Sequence, residues 1–217
     1  MGLDLGQAQD YTTWAVLEER QSDIEKIKEG LGLVNLNQLP LKTSWTLIAD
    51  ELKGLLKKIK GLNPEVIHLW VDATGLGSPV IDGFIKPVVE ELSVNLHSVN
   101  ITGGNKGWDA VANTVSKVHL IDNAMVMREQ KTFKIAEDLK DKEIMKLFEE
   151  QIEDFRRTPA KRAGAIQYGS VAGEHDDLIL AFALACLGYK EKGNVPRISV
   201  LDLPSDFLFG KSRWGEL

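Results

Sequence analysis

The chain has 217 residues, 43% of them hydrophobic and 27% charged, the profile of one soluble globular domain, with or without a tail, that can bury a substantial core. Its longest apolar run, Leu178 to Gly188, is too short to cross a bilayer, and no basic stretch followed by an apolar core marks a secretion signal. The single cysteine, Cys186, excludes Cys-rich zinc sites and reads as a buried thiol in a reducing compartment. A net charge of −6 argues only weakly against nucleic acid, because a local basic patch can oppose the sum.

Residues 1–6 and 11–18 read as two strands of a hairpin joined by the polar turn Gln7 to Asp10, with a third strand over 33–39. Ser44 is placed to cap a helix whose apolar positions Leu47, Ile48, Leu52, Leu55, Leu56 and Ile59 recur at helical spacing; Gly61 and Pro64 close it. "EVIHLWVDATG" is the pattern of a strand buried on both faces of a parallel sheet. A helix over 79–92 and a strand over 94–101 follow, then the loop "TGGNKG". Further on, the patterns predict a helix over 115–129, a short strand in "TFKIA", and a helix over 142–155. An extended segment or hairpin in "KRAGAIQYGS" and a last helix to about Tyr189 complete the domain. Residues 191–217 carry Gly and Pro without a sustained period and read as a tail. A hairpin followed by strand–helix–strand crossovers points to an α/β fold with a mixed sheet.

Three acidic places bear on chemistry. In "MGLDLG", Asp4 shares a strand face with Gly2 and Gly6, which leaves room for ions or a backbone to approach. Asp72 ends a buried strand, where side chains of open α/β sheets commonly do their work. In "GEHDDLILAFALA", His175, Asp176 and Asp177 head an almost wholly apolar helix. Each alone is satisfied by a bland account: a turn aspartate, or a first-turn charge worth roughly 0.3–1 kcal/mol. Together they form a cluster that repels itself unless cations bind, and oxygen donors without soft ones select Mg²⁺ or Mn²⁺.

On those residues the chain resembles a known family. "LDLGQAQDYT", "HLWVDATGLGSPV", "VSKVHLIDNAMVMREQKTFKIA" and "AIQYGSVAGEHDDLILAFALA" are similar, in order, to the nuclease domain of tailed-phage large terminase subunits. The resemblance implies a ribonuclease H-like fold over 1–190, with a central mixed sheet of antiparallel hairpin strands plus parallel crossover strands, flanked by helices. It also implies a metal-dependent endonuclease that cuts concatemeric double-stranded viral DNA in the host cytoplasm during packaging. Asp4, Asp72, Asp176 and Asp177 take the catalytic, metal-ligand positions for two Mg²⁺ or Mn²⁺ ions, with Asp10 a further ligand and His175 auxiliary. The family's other partners are an N-terminal ATPase domain, a small terminase and a portal. No GxxxxGK[ST] loop occurs here, so the chain reads as an isolated, monomeric nuclease domain that does not itself translocate DNA.

Three rivals stand beside this reading: a Holliday-junction resolvase, an actin-like sugar kinase, and a non-catalytic packaging module whose carboxylates only cap turns. His68, His97 and His119 take no role in any of them. Arg156, Arg157, Lys161 and Arg162 form the one clearly basic stretch near the last helix, and Lys106 and Lys117 lie on segments that can approach it. Phosphate contacts position DNA without reading bases. Charge reversal at Arg157 and Lys161 is therefore expected to weaken DNA affinity equally for unrelated sequences and to flatten its salt dependence, measured by titrations at several salt concentrations.

Overall fold

Strand β1 (Gly2–Asp4) is only three residues long, yet it occupies the centre of the sheet. Its Gly2 lets a helix backbone close in on it. In the computed structural model, residues 1–6, 8–20, 30–75, 78–130, 133–154, 156–159, 166–169 and 175–191 are described. The other strands of the main sheet are β2 (Thr13–Arg20), β3 (Gly30–Gln38), β4 (His68–Asp72), β5 (Asn95–Thr102), β6 (Thr114–Ser116) and β7 (Phe133–Ile135). They line up in the order β6-β5-β4-β1-β2-β3-β7. β1 pairs antiparallel with β2 and parallel with β4, so the expected hairpin and crossover meet at one strand. β2–β3 is antiparallel with a bulge at Val16/Leu17, whereas β4–β5, β5–β6 and β3–β7 are parallel. The expected mixed sheet is therefore present.

Strand alternation sorts the core into two layers. Leu3, Trp14, Leu69 and Val71 face α1 (Trp45–Lys60), whose buried positions are Ile48, Ala49, Leu52 and Leu56. Ser44 caps this helix, accepting from Leu47 N at 3.3 Å, and Gly61 ends it. The same layer takes Ile81, Ile85, Val88 and Val89 from the helical stretch made of α2 (Ser78–Val80), a π-helical turn Ile81–Ile85, and α3 (Lys86–Glu91). On the other face, Ala15, Leu33, Trp70 and Val99 meet α4 (Lys117–Arg128), α6 (Glu143–Asp154) and α7 (Asp177–Glu191). Phe182 of α7 makes edge contacts with Phe133 and Phe148. Cys186 is buried, and burial pushes its thiol above the ordinary range.

Two boundaries differ from the sequence pattern. The helix expected over 115–129 begins at Lys117: Thr114 to Ser116 pair with β5, and the Ser116 hydroxyl, accepting from His119 N at 3.2 Å, caps the helix. A four-residue helix, α5 (Glu137–Lys140), intervenes before α6, where the sequence offered no sustained period. Beyond α6, β8 (Arg156–Pro159) and β9 (Ile166–Gly169) form a separate antiparallel hairpin. The expected tail lies outside the described residues, apart from Glu191 at the end of α7. No described helix is long and apolar enough to cross a membrane.

Helix α7 is buried from Asp177 through Gly188. Its backbone rests on β1 so closely that a Cβ on Gly2 would overlap the Ala181 carbonyl and stand 2.5 Å from Ala185 N. Gly2→Ala is expected to lower the Tm by several degrees or prevent folding, since overpacking a rigid core costs about 1–3 kcal/mol or more. Gly54→Ala, on exposed α1 with no atom within 4 Å of the new Cβ, should instead stabilise by about 0.5–1 kcal/mol. Thermal melts of the two variants check the pair.

Candidate metal centre

The head of α7 and the C-terminal ends of β1 and β4 meet at one spot. Asp4 closes β1, and Asp72 closes the adjacent parallel strand, where Leu3 pairs with Val71. Thr13, opposite Asp4 on β2, donates from its hydroxyl to the Asp177 carbonyl at 2.8 Å, which ties the helix head to the sheet. Tyr11 N donates to Asp177 Oδ2 at 3.3 Å, and the Gln151 side chain accepts from Leu178 N at 3.2 Å. Asp177 is thus the buried member of the pair and faces the sheet. Asp176, one residue before the helix, meets Lys117 Nζ at 2.6 Å. Asp72 Oδ1 also accepts from Thr74 N at 2.7 Å, so the turn bond of the bland account and a place in the cluster coexist.

The electrostatics are those of acids crowded together without enough counter-charge. Asp4 is held well above the carboxylate range, first by burial, then by the charges of Asp72, Asp177 and Asp176, with Lys117 opposing. Burial likewise raises Asp72 against the pull of Thr74 and Lys117. Asp177 is pushed up to about 6 by burial, aided by Asp10 and Asp176 and opposed by Tyr11 N and His175. Asp4 therefore feels three other carboxylates, brought from two distant places in the sequence. Such an array is costly in a bare protein and is relieved by a bound cation.

Among the described residues, one group of donors lies close enough to grip a single ion: Asp10, His175 and Asp177 offer ligand atoms within 4.8 Å of one another. His175 Nδ1 is 3.4 Å from Asp177 Oδ2, and its ring meets the Tyr11 ring edge-on at 4.7 Å. Carboxylates joined by one imidazole suit Mn²⁺ and also accept Mg²⁺, so the donor set fits the ions the resemblance implies. The glycines beside Asp4 are filled by backbone and leave no open space. Gly2 admits α7, and Gly6 admits the Asp10 carbonyl of the hairpin turn.

Of the basic candidates, Lys117 points into the acidic cluster, while exposed Lys106 pairs with Asp109 at 2.8 Å. Arg156 and Arg157 lie in β8, paired with Gly169 and Tyr168, and the partner strand β9 packs beside α4. Lys161 and Arg162 lie outside the described residues. The supports Tyr11, Thr13 and Gln151 went unnoticed in the sequence. Only an isolated Thr-Thr after a turn and a glutamine in an amphipathic helix mark them, and neither pattern is distinctive.

Fold and site together define a ribonuclease H-like α/β domain with an acidic centre at the strand ends. No protein-family model matches the sequence, and no curated protein matches it. Among solved structures, the human cytomegalovirus terminase nuclease domain, soaked with Mn, superposes with a TM-score of 0.53 at 13% identity, covering 86% of this chain and 80% of that one. A Thermus thermophilus RuvC structure superposes with a TM-score of 0.42 at 12% identity, over 88% and 95% of the two chains. At such identities the first likeness shows a shared fold.

Because Asp177 titrates higher folded than unfolded, its contribution to stability is whole below the ordinary 3.8 and lost as pH rises through about 6. Asp177→Asn, which keeps an oxygen for Tyr11 N, should therefore raise the Tm of the chelator-treated protein by a few degrees at pH 8. The gain should vanish near pH 4. Melts in EDTA across that pH range check both statements.

Proposed function

We propose that the chain is a divalent-metal-dependent endonuclease acting on double-stranded DNA, with residues 1–190 as the nuclease domain and 191–217 as an appended tail. The observation that carries this reading is the field at Asp4, which ends β1 and is raised by burial and by the charges of Asp72, at the end of β4, and of Asp177 and Asp176 at the head of α7. Asp10 and His175 flank Asp177. These side chains would hold divalent ions, which when bound would supply an activated water and charge for the leaving oxygen of a phosphodiester.

The protein's own part is to keep the donors fixed. Asp4 sits in the central strand, and Asp177 is locked by Tyr11 N and by the buried helix behind it. Rigid carboxylates hold ion geometry within the tolerance catalysis needs. Arg156 and Arg157 of the β8–β9 hairpin, with Lys161 and Arg162, would take the duplex backbone beside the cluster with little sequence preference.

The terminase likeness supports a place in genome packaging. There the domain would cut concatemeric DNA in the host cytoplasm while an ATPase domain, a small terminase and a portal do the translocation. Supercoiled plasmid incubated with Mn²⁺ or Mg²⁺ should be nicked and linearised, and EDTA should stop it. Asp4→Asn and Asp72→Asn should each reduce cutting to the chelator blank, followed on agarose gels. Nicking that survives both substitutions would sink the assignment, and cutting confined to four-way junctions would move it to the resolvases.

A further inference from the structure

Lys117 breaks a local rule. It is the first residue of α4, whose first turn holds no acidic residue, so its ammonium sits at the positive end of a helix dipole where a cation is disfavoured. The Ser116 cap and the buried β6 residue Val115 fix the backbone there. The side chain is partly buried and reaches across to Asp176 Oδ2 at 2.6 Å. Its charge is also felt by Asp4 and Asp72, the two strand-end carboxylates. Among the residues whose side chains are described, no other Lys or Arg forms an ion pair with Asp4, Asp72, Asp176 or Asp177.

We propose that Lys117 is a stand-in cation: its ammonium neutralises the acidic cluster in the metal-free protein, competes with divalent ions for Asp176, and is released when they bind. The inference rests on the metal-centre reading and adds a regulator to it. Apo-state stability and metal affinity are traded through one side chain, and the freed lysine becomes available to a DNA phosphate only when the site is loaded. A ligand-linked exchange of this kind costs the incoming ion the free energy of the pair it displaces.

Two measurements test it. Mn²⁺ affinity, by calorimetry or by paramagnetic titration, is compared for wild type, Lys117→Met, Lys117→Arg and Asp4→Asn. Lys117→Met should bind Mn²⁺ at least about fivefold tighter while melting lower in EDTA, and Lys117→Arg should stay near wild type. In the unmutated chain, acetylation of Lys117 by acetic anhydride, read by mass spectrometry, should speed up when Mn²⁺ is added, while Lys106 stays constant. This second assay does not depend on a variant that folds. Lys117→Met binding Mn²⁺ equally or more weakly, or acetylation of Lys117 indifferent to Mn²⁺, overturns the proposal while the metal centre stands. Wild type that takes up no Mn²⁺, or Asp4→Asn that binds it as well as wild type, overturns the metal centre itself.

Discussion

Everything in this domain depends on how closely α7 lies against β1. A helix buried along nearly its whole length must find a sheet surface that lets its backbone approach, and Gly2 supplies it. The contact forces the charged head of α7, with Asp176 and Asp177, to the ends of β1 and β4. Apolar burial, worth about 25 cal/mol per Å², thus drives carboxylates into mutual proximity that they would not choose for themselves. The acidic cluster is a consequence of packing.

Strain of this kind suits a site that waits for cations. Burial raises Asp4, Asp72 and Asp177, like charges add to it at Asp4 and Asp177, and the hydrogen bonds from Tyr11 N and Thr74 N recover only part of the cost. Among the residues whose side chains are described, Lys117 is the cation that pairs with the cluster, and it does so from an unfavourable helix position. Under the proposed exchange, its pair with Asp176 would tie the metal-free state to the loaded one. A second cost lies across the same sheet face. There Trp70 stacks on His97 at 4.3 Å, its buried indole Nε1 has no acceptor among the described residues, and His97 is pushed down to about 4 by burial and by His68. That aromatic patch packs against Trp108 and Gly188.

Much of the architecture was legible in order along the chain. Apolar period marked α1, a nearly continuous apolar run behind two acids marked α7, Ser44 announced its own helix, and the run ending at Asp72 declared a strand buried on both faces. Where the reading slipped, a capping serine and a three-residue edge strand competed with helical spacing, as at Thr114 to Ser116. There the pairing of Thr114 to Ser116 with β5 holds the backbone extended, and the Ser116 cap starts the helix at Lys117. The short helix α5 has too few turns to show a period at all.

The candidate site divides in the same way. The primary sequence determined which acids sit at strand ends and at a helix head, since hydrophobic alternation and N-terminal charge are local properties. Only the tertiary structure decided that Asp177 turns inward while Asp176 meets Lys117, and that Asp10 and His175 come within reach of one ion. Only the folded chain, likewise, fills the space beside Asp4 with backbone. Those outcomes depend on register between β1, β2 and β4 and on the depth at which α7 settles. Such long-range steric facts leave no periodic trace in a linear chain.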